Sequence, residues 1–428
     1  MERAPDAPHD LLSKDAVSQT AHRPLHVLIT TDQHVESLGG VQVSIRLQRE
    51  QLERQGHTVS VLSSARRFPH QAHPGDIELP SWTLTRDKEY TAAWPGKRAD
   101  RVIDAALAER PPVDLVHVQG DLWGAIAGYR LAQRLGVPVV HTFHNNLDQG
   151  VRSISPIAAP PFFAALNLIR RRLLGGPTRK GDRGGWRYLA SLSQDAQALT
   201  APSHYFAEEL QRHGIGPATV ITNGVDDAQI DAALAAKQSP EQRPRPRLVW
   251  LGRMSQEKRV LDLIEALRDS GADADLDLYG GGIQLSQVKK AVSKAGLEDR
   301  VRLHGRLPYP VALAELASAD ALVQTSLGFE TQGMTPFEAA ALGTPTIFRD
   351  PRIAAELGVG EADAGLPGWV SPGPSLDDFT ATLRQAVAEL KTKAVRVPDA
   401  GGAFRQSRQT ERTLELYRSV VAEANIGA

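Results

Sequence analysis

A short apolar strand that leads through a glycine-containing loop into a helix is the feature of this sequence that most constrains its fold. Residues 321–325 (Ala-Leu-Val-Gln-Thr) have the composition of a buried strand. After a bend at Gly333, we expect Thr335 to be the N-cap of a helix with Pro336 at its first position. Gly343 is expected to end that helix. A strand that turns into a helix in this way directs free N–H groups and the positive end of the helix dipole at one place, which suits a phosphate group.

Two carboxylates flank this predicted loop, Glu330 within it and Glu338 in the first turn of the helix. Carboxylates repel phosphate, so a functional role for them requires hydroxyl ligands, such as those of a ribose and a sugar. Thr335 and Glu338 also have the spacing of a capping box, in which the glutamate only accepts a hydrogen bond from the N-cap amide. The spacing is compatible with both roles of Glu338. No local pattern gives Glu330 a structural partner.

The run from Glu330 to Glu338, followed by Ala and then by Gly-Thr-Pro at residues 343–345, resembles the signature of glycosyltransferase family 4. Members of this family are retaining sugar transferases of the GT-B fold. The resemblance implies an α/β protein with two Rossmann-like doubly wound domains that face each other across a cleft. It also implies transfer of a hexose from a nucleoside diphosphate sugar to a hydroxyl acceptor, with retention of the anomeric configuration.

Composition excludes several other classes of protein. A chain of 428 residues is long enough for two or three domains. Lys and Arg number 49 against 50 Asp and Glu, so no overall charge favours nucleic acid as a partner. There is no Cys, which excludes disulfides and thiolate chemistry. No apolar run approaches the ~18 residues of a membrane span, and residues 1–23 have the composition of a disordered tail and not of a signal peptide. A cytoplasmic location is therefore expected.

A second strand–loop–helix unit opens the first domain. Residues 25–31 are a predicted strand, Gly39 and Gly40 form a loop, and the following helix is expected to stop at Gly56. Ligands of doubly wound domains bind at the carboxyl ends of such strands. A Gly-Gly pair alone is commonly a turn. The order Gly-Gly-Val, helix and Gly-His-x-Val, however, resembles the family's donor-phosphate loop, which implies a donor-binding role for Gly39 and Gly40.

A histidine ends another predicted strand of the first domain. The run Val-His-Thr-Phe-His at residues 140–144 resembles the family's Thr-x-His segment, in which the histidine approaches the donor sugar. The resemblance implies that role for His144, although a histidine at a strand end is often structural. His141 is expected on the opposite face of the strand because side chains alternate.

An uncharged stretch followed by basic residues occupies residues 152–190. Its apolar residues at helical spacing are Phe162, Leu166, Ile169 and Leu173. The basic residues that overlap and follow them are Arg170, Arg171, Arg172, Arg179, Lys180, Arg183 and Arg187. One interpretation is a core-facing helix followed by a solvated loop. The other is that residues 160–187 face an acceptor or an anionic membrane, which would place the protein peripherally at the inner membrane face.

The second domain begins with a strand at residues 247–251 that leads into the run from Gly252 to Lys258. Exposed Arg and Lys are usually solvated, but after a glycine at a strand end Arg253 and Lys258 can both reach one diphosphate. Gly-Arg-x4-Lys also matches the family closely. A further predicted strand at 301–307 lies where relatives place the nucleobase, which implies a donor-binding role for Arg306. An Asp-x-Asp pair at 275 and 277 is interpreted as the polar edge of a strand and not as a metal site.

The resemblance covers residues 24–424 and implies the division of the chain. We expect a disordered tail at 1–23, an acceptor-side domain at 24–226, a linker at 227–246, a nucleotide-sugar-binding domain at 247–405 and a C-terminal helix at 406–428 that crosses back to the first domain. The linker is predicted because residues 228–247 are polar and contain three prolines.

The resemblance also implies roles within the active site. The catalytic set comprises His144, Arg253, Lys258 and Glu330, and the donor-binding set comprises Gly39, Gly40, Arg306, Gly333, Met334, Thr335 and Glu338. The leaving phosphate would be neutralised without metal or cofactor by the two basic residues and the amides of the helix start. Glu338 would hold the ribose and Glu330 the sugar hydroxyls.

The acceptor is left open by the sequence. Gln332 stands where most relatives carry an aromatic residue, and the resulting Glu-Thr-Gln-Gly looks more like glycolipid-forming members such as diacylglycerol glucosyltransferases. A lipid acceptor and a soluble metabolite or oligosaccharide remain alternatives. A third alternative, of a different class, is a non-catalytic subunit that binds a nucleotide sugar without transferring it.

Overall fold

Two parallel β-sheets organise the chain, one in each of two structural units. The computed structural model describes residues 23–427 except 38, 66–71, 84–90, 180–181, 238–242, 329, 361–364 and 399–400. The first unit comprises residues 1–221 and 409–428, and the second comprises residues 222–408. The predicted tail, apart from its last residue, lies outside the described residues.

In the described part of residues 23–221, the first unit has nine strands and seven α-helices. The strands are β1 (His26–Thr30), β2 (Thr58–Ser64), β3 (Asp76–Leu79), β4 (Ser81–Thr83), β5 (Thr91–Ala93), β6 (Leu115–Val118), β7 (Val139–Thr142), β8 (Ala198–Ala201) and β9 (Ala218–Val220). The helices are α1 (Gly40–Arg54), α2 (Lys97–Leu107), α3 (Trp123–Leu135), α4 (Leu147–Ile154), α5 (Ala159–Leu174), α6 (Gly185–Leu192) and α7 (His204–Arg212).

The described residues of the second unit form six strands and eight α-helices, and a last helix then returns to the first unit. The strands are β10 (Arg247–Arg253), β11 (Asp275–Gly281), β12 (Val301–Gly305), β13 (Ala321–Gln324), β14 (Thr346–Phe348) and β15 (Gly368–Val370). The helices are α8 (Asp227–Ala235), α9 (Val260–Ser270), α10 (Leu285–Ala295), α11 (Tyr309–Ala317), α12 (Met334–Ala341), α13 (Pro351–Glu356), α14 (Leu376–Thr392) and α15 (Gly401–Phe404), and the last helix is α16 (Gln406–Gly427).

The sheet of the first unit has seven parallel strands in the order β3-β2-β1-β6-β7-β8-β9. All five residues of β1 are buried, as expected for a parallel strand with helices on both faces. Leu28 points into a core shared with α3 and α6, whereas Val27 and Ile29 point into a core shared with α1 and α16. The last helix contributes Tyr417 and Val421 to this second core, so it completes the first unit.

The sheet of the second unit has six parallel strands in the order β12-β11-β10-β13-β14-β15. Leu248 and Trp250 of β10 lie on the face covered by α9 and α14. Leu322 of β13 lies on the other face, which is covered by α8, α11, α12 and α13. Strands β10 and β13 are neighbours at the centre of the sheet, so the loops that follow them meet at one edge. Both units therefore have the doubly wound α/β architecture.

The segment predicted as a linker is largely part of the second unit. Residues 227–235 of it form α8, whose N-cap Asp226 accepts a hydrogen bond from the Gln229 amide at 3.1 Å. Ile230 and Ala233 are buried in the core of the second unit. The polar composition concealed this helix because only these two of its apolar side chains face the core.

The uncharged segment before the basic residues contributes most of α5, a helix that packs within the first unit. Leu166, Ile169 and Leu173 of the predicted apolar stripe lie against its core. The stripe therefore follows the core-facing interpretation. Phe162 is only partly covered, and Arg170 is buried, donating hydrogen bonds to the carbonyls of residues 175 and 177.

Exposed apolar and basic side chains also lie on the rest of α5 and in the turn before it. We call them the α5 surface, which comprises Ile157, Leu168, Arg171 and Arg172. The exposed fraction is 90% for Ile157 and 68% for Leu168. No helix among the described residues is long and apolar enough to cross a bilayer.

Candidate functional site

The loop between β13 and α12 forms the centre of the candidate site in the second unit. Gly333 is the N-cap of α12, with φ 79°, and no side chain caps the helix. This φ lies in the left-handed region that favours glycine. The prediction that Thr335 is the N-cap was wrong, because Thr335 is the second residue of the helix and Pro336 the third. The left-handed turn at Gly333 starts the helix earlier than side-chain capping preferences indicate.

Glu338 has a different structural partner from the one that a capping box would give it. Its Oε1 accepts a hydrogen bond from the Tyr309 hydroxyl at 2.9 Å, at the start of α11. The capping-box interpretation was therefore wrong. Burial raises the pKa of Glu338, and the hydrogen bond from Tyr309 acts in the opposite direction. Sequence reasoning missed Tyr309, since 29 residues separate it from Glu338.

Glu330 and Lys258 form an ion pair within the second unit. Lys258 Nζ donates to Glu330 Oε1, which also accepts from the Ser326 hydroxyl at 2.8 Å. The side chains are 27% and 13% exposed for Lys258 and Glu330, so a ligand at this edge can reach the pair. The sequence offered no structural partner for Glu330, and the structure gives it two. Ser326 lies four residues before Glu330 in the same loop, whereas Lys258 comes from the loop after a different strand and has no local sequence signal.

The main chain of Lys258 is itself fixed to the end of β13. The Thr325 hydroxyl donates to the Lys258 carbonyl at 2.5 Å, and it accepts a hydrogen bond from Trp250 Nε1 at 2.9 Å. Thr325 and Trp250 are both buried. Thr325 therefore ties the loop after β10 to the loop after β13, which is a supporting role that the sequence did not reveal.

Arg253 and Arg306 lie at the same edge of the sheet but are more open to solvent. Arg253 ends β10, its side chain is 62% exposed, and its Nη2 lies 3.0 Å from Glu257 Oε1. Arg306 follows β12 and passes beside Gly281, 3.6 Å from the point where a β-carbon on that glycine would stand. The structure thus brings Lys258, Glu330 and the start of α12 together and places both arginines along the same edge.

Gln332 is buried, and both ends of its side-chain amide bond the backbone of Asn223 in the same unit. Its Oε1 accepts from the Asn223 amide at 2.8 Å, and its Nε2 donates to the Asn223 carbonyl at 3.0 Å. This arrangement gives Gln332 a structural function. Its departure from the family's aromatic residue therefore carries less information about the acceptor than the sequence suggested.

The two aspartates of the Asp-x-Asp run are engaged with basic side chains. Asp277 accepts from Arg247 Nε at 2.5 Å and lies 2.7 Å from His304 Nε2. Asp275 lies 3.6 Å from Arg245. Among the residues that the structure describes, no group of three or more His, Asp or Glu side chains is placed to hold a metal ion.

In the first unit, the predicted residues lie at the ends of neighbouring elements. Gly39 is the N-cap of α1 and Gly40 its first residue, and no side chain caps this helix. His144 is buried just after β7, and its Nε2 lies 2.9 Å from Gln119 Oε1. Burial, together with the nearby His141, lowers the pKa of His144 to about 4, so the imidazole is neutral at physiological pH.

His141 lies on the other side of the sheet, as strand alternation predicted. Its Nδ1 is 2.9 Å from the Tyr129 hydroxyl, and its ring stacks on Phe143. Both contacts belong to the core shared with α3. His141 is therefore a core residue, whereas His144 lies at the carboxyl edge of the sheet.

Comparison with known proteins places the chain among glycosyltransferases. Residues 38–229 match the family model described as Glycosyltransferase Family 4, and residues 231–396 match the model described as Glycosyl transferases group 1. The alpha-monoglucosyldiacylglycerol synthase of Streptococcus pneumoniae is 23% identical over 76% of this chain and 70% of its own. The D-inositol 3-phosphate glycosyltransferase of Pseudarthrobacter chlorophenolicus is 30% identical over 72% of this chain and 71% of its own.

A solved structure supports the fold independently. The Anabaena protein HepE in complex with UDP-glucose matches with a TM-score of 0.60 at 18% identity, covering 92% of this chain and 100% of that one. The prediction of two Rossmann-like domains of the GT-B class is confirmed.

Proposed function

Because this chain belongs to glycosyltransferase family 4, we propose that it moves a hexose from a nucleoside diphosphate sugar to a hydroxyl acceptor, with retention of configuration. The observation that carries the proposal is the Lys258–Glu330 pair beside the uncapped start of α12. This arrangement sets a cation and free backbone amides next to a carboxylate at the ligand-binding edge of a doubly wound sheet. A donor that carries both phosphate and sugar hydroxyls matches these groups.

We assign the diphosphate of the donor to Lys258, Arg253 and the amides of Gly333 and Met334. A lysine ammonium has three hydrogen-bond donors, so Lys258 can keep its bond to Glu330 while it binds a phosphate oxygen. When the bond to the sugar breaks, negative charge grows on the phosphate of the leaving nucleotide. The cations and the helix dipole stabilise that charge, and the step needs no metal ion.

The remaining donor groups are assigned to the carboxylates and to His144. Glu330 accepts hydrogen bonds from sugar hydroxyls, and Glu338 accepts them from the ribose, with Thr335 beside it in the first turn of α12. Arg306 is assigned to the nucleobase. From their resemblance to the family's motifs, Gly39 and Gly40 are assigned to the diphosphate and His144 to the hexose. The UDP-glucose in the HepE complex supports a nucleotide sugar as the donor.

A lipid hydroxyl at a membrane surface is the acceptor that we favour. The α5 surface combines exposed apolar side chains with Arg171 and Arg172, which is the combination that holds proteins at anionic membranes. The diacylglycerol in the name of the S. pneumoniae relative is consistent with such a substrate. The protein would then act peripherally at the cytoplasmic face of the membrane. The inositol phosphate in the name of the other relative supports a soluble acceptor as the alternative.

The test is release of nucleoside diphosphate from UDP-, GDP- and ADP-sugars, measured with diacylglycerol vesicles and with soluble polyols as acceptors. We expect one donor to give product with an acceptor and to release its nucleotide at the same rate. Tight binding of a donor without release or transfer, under all acceptor conditions, would instead favour a non-catalytic binding subunit.

A further inference from the structure

A chain of buried side-chain hydrogen bonds connects His144 to the last helix of the protein. From His144, the chain passes to Gln119 Oε1 at 2.9 Å, and Gln119 Nε2 donates to Gln48 Oε1 at 2.5 Å. Gln48 Nε2 donates to the Tyr417 hydroxyl at 3.1 Å, and this hydroxyl lies 2.5 Å from His117 Nδ1. All five side chains are buried. The chain joins α1, β6, β7 and α16 within the first unit.

The direction of these hydrogen bonds determines where the proton of His144 lies. The Gln119 amide nitrogen faces the Gln48 carbonyl oxygen, so the Gln119 oxygen faces His144. That oxygen can only accept, and His144 Nε2 must therefore carry the hydrogen. A neutral imidazole has one N–H, so His144 Nδ1 carries the lone pair.

The far end of the hydrogen-bond chain is consistent with this direction. Tyr417 accepts from Gln48, so its own hydrogen goes to His117 Nδ1. His117 Nε2 then carries a hydrogen, which it donates to the Thr142 hydroxyl at 2.6 Å. Turning the Gln119 amide over by itself, with its neighbours unchanged, would place two acceptors or two donors face to face in a buried site. Each mismatch costs about 1–3 kcal/mol.

We infer that Gln119 is a positioning residue for the proposed sugar transfer, and that Gln48 and Tyr417 hold it in place. Gln119 fixes the imidazole of His144 in the Nε2–H form, with its ring orientation set by the same bond. His144 then presents a hydrogen-bond acceptor at Nδ1, which suits a sugar hydroxyl. This role rests on the proposed function, whereas the tautomer follows from the hydrogen bonds alone.

The groups that face this chain are consistent with a neutral His144. His117 comes from β6, His141 from β7 and Tyr417 from α16. Burial lowers the pKa of His117 well below its usual value, and it raises that of Tyr417. His117, His144 and Tyr417 are thus all uncharged near neutral pH. The directions of their hydrogen bonds therefore stay the same near neutral pH.

The first test measures the tautomer of His144 in the wild-type protein. The ring nitrogen and carbon chemical shifts of labelled histidine distinguish the two tautomers, and the His144→Asn protein identifies the resonance of His144. We expect the Nε2–H form in the wild-type protein. Observation of the Nδ1–H form would overturn the inference whether or not the protein has transferase activity.

The second test removes the acceptor that holds His144. Gln119→Met keeps the side-chain length but cannot accept the hydrogen bond, so the ring becomes free to change tautomer and orientation. We expect kcat to fall about tenfold or more, in the range of losses for misplaced catalytic groups, with KM for the donor changed by less than about threefold. The exposed Gln211 of α7 provides the matched control as Gln211→Met, which should leave both constants unchanged.

The third test asks whether the hydrogen-bonded residues from His144 to Tyr417 act together. Tyr417→Phe removes only the hydroxyl at the far end, and we expect a smaller fall in kcat than Gln119→Met gives. The double variant should be no slower than Gln119→Met alone, because residues of one network are non-additive. Fully additive losses, or an unchanged kcat in a folded Gln119→Met protein, would show that Gln119 does not position His144. Absence of transfer by the wild-type protein would count against the proposed function instead.

Discussion

At the scale of single residues, the charged side chains of the candidate site form ion pairs with one another in the absence of a ligand. Lys258 and Glu330 pair across two loops, and Arg253 pairs with Glu257. A bound diphosphate would give the lysine a second charged partner, since an ammonium group has three hydrogen-bond donors and Glu330 uses one of them. The pair therefore keeps Lys258 in place for the phosphate.

Replacing Lys258 tests this assignment. In Lys258→Ala, we expect kcat/KM to fall about 10²-fold or more, as for the loss of one preorganised electrostatic contact. The melting temperature should change little, because a partly exposed ion pair contributes about 0–1 kcal/mol. Lys391 is the matched control, because it pairs with Asp273 on the surface of the same unit. Activity within a few-fold of wild type for Lys258→Ala, as for Lys391→Ala, would remove Lys258 from the site.

Glu338 gives a second test, based on charge and pH. Glu338→Gln can still accept a hydrogen bond from Tyr309, so the fold should be preserved. We expect weaker donor binding, since the charge-assisted bond to the ribose is lost. Burial raises the pKa of Glu338, so the wild-type protein should lose donor affinity as the pH falls through that raised pKa, at a higher pH than an ordinary glutamate would.

Titration of donor affinity by calorimetry measures both effects of the Glu338 substitution. The affinity of Glu338→Gln should be low and independent of this ionisation. Equal affinity of the two proteins at neutral pH would limit Glu338 to its bond with Tyr309.

Sequence reasoning at this scale found residue types but not all their partners. Glu330 and Lys258 were each predicted for the site, because both follow strands at the same sheet edge. Their direct pairing could not be predicted, since 72 residues separate them. Separation along the sequence also concealed the bond between Tyr309 and Glu338, which are 29 residues apart, and the hydrogen bonds that connect His144 to Tyr417. Local patterns report neighbours along the chain, and these contacts exist only in the folded sheet.

At the scale of elements, the start of α12 depends on one backbone angle. Gly333 has φ 79°, a conformation in which a non-glycine residue costs about 1–3 kcal/mol. Gly296 has a similar φ of 66° at the end of α10, and a β-carbon there would meet nothing within 4 Å. Both glycines have a left-handed φ, but ψ is 97° at Gly333 and 36° at Gly296, so Gly333 is the more strained position for a residue with a side chain.

Alanine variants of these two glycines separate a loss of stability from a loss of donor binding. We expect Gly296→Ala to lower the free energy of unfolding by about 1 kcal/mol and Gly333→Ala to lower it by at least as much. Only Gly333→Ala should also weaken donor binding, because the amides at the start of α12 move. Denaturant titration and donor calorimetry measure the two effects. If both variants keep wild-type donor affinity, those amides do not bind the phosphate.

The α5 surface is a property of a single helix and its preceding turn. It predicts that the protein binds to lipid vesicles. Each basic residue near an anionic membrane contributes about 1 kcal/mol, and salt screens this attraction over about 8 Å at physiological ionic strength. We expect co-sedimentation with anionic vesicles at low salt, a decrease at high salt, and loss in Arg171→Ala/Arg172→Ala. Arg170 is not included, since it is buried and bonds backbone carbonyls.

The matched control for the α5 surface is Arg98→Ala/Arg101→Ala, because both arginines are exposed on α2 of the same unit. This variant should bind vesicles as the wild type does. Equal binding to neutral and anionic vesicles, or none to either, would favour the soluble acceptor.

The order of strands and helices was the most predictable property of the chain. Buried parallel strands such as β1 and β10 give continuous apolar runs, and glycines follow them. Helix boundaries were less predictable, as Thr335 and α8 show. A left-handed glycine overrode the capping preference in one case, and a polar, proline-containing context concealed a buried helix face in the other.

At the scale of the whole molecule, the two units have separate cores and should respond separately to cavities. Leu414 of α16 is buried in the first unit, and Leu383 of α14 is buried in the second. We expect Leu414→Ala and Leu383→Ala each to destabilise its own unit by about 2–5 kcal/mol. Calorimetry should show one transition lowered in each variant, a different one in the two cases. A common transition that both variants lower equally would mean that the units unfold together.

The first unit has a consequence for synthesis, because the chain leaves it at residue 221 and re-enters it at residue 409. On the ribosome, residues 222–408 must be made before the last helix can cover Val27 and Ile29. At ~5–20 residues per second, this takes on the order of 10–40 s. During that time, α1 is the helix that covers this apolar side of the nascent first sheet, as far as the described residues show. We therefore expect the newly made chain to be more prone to aggregation at this stage than the finished protein.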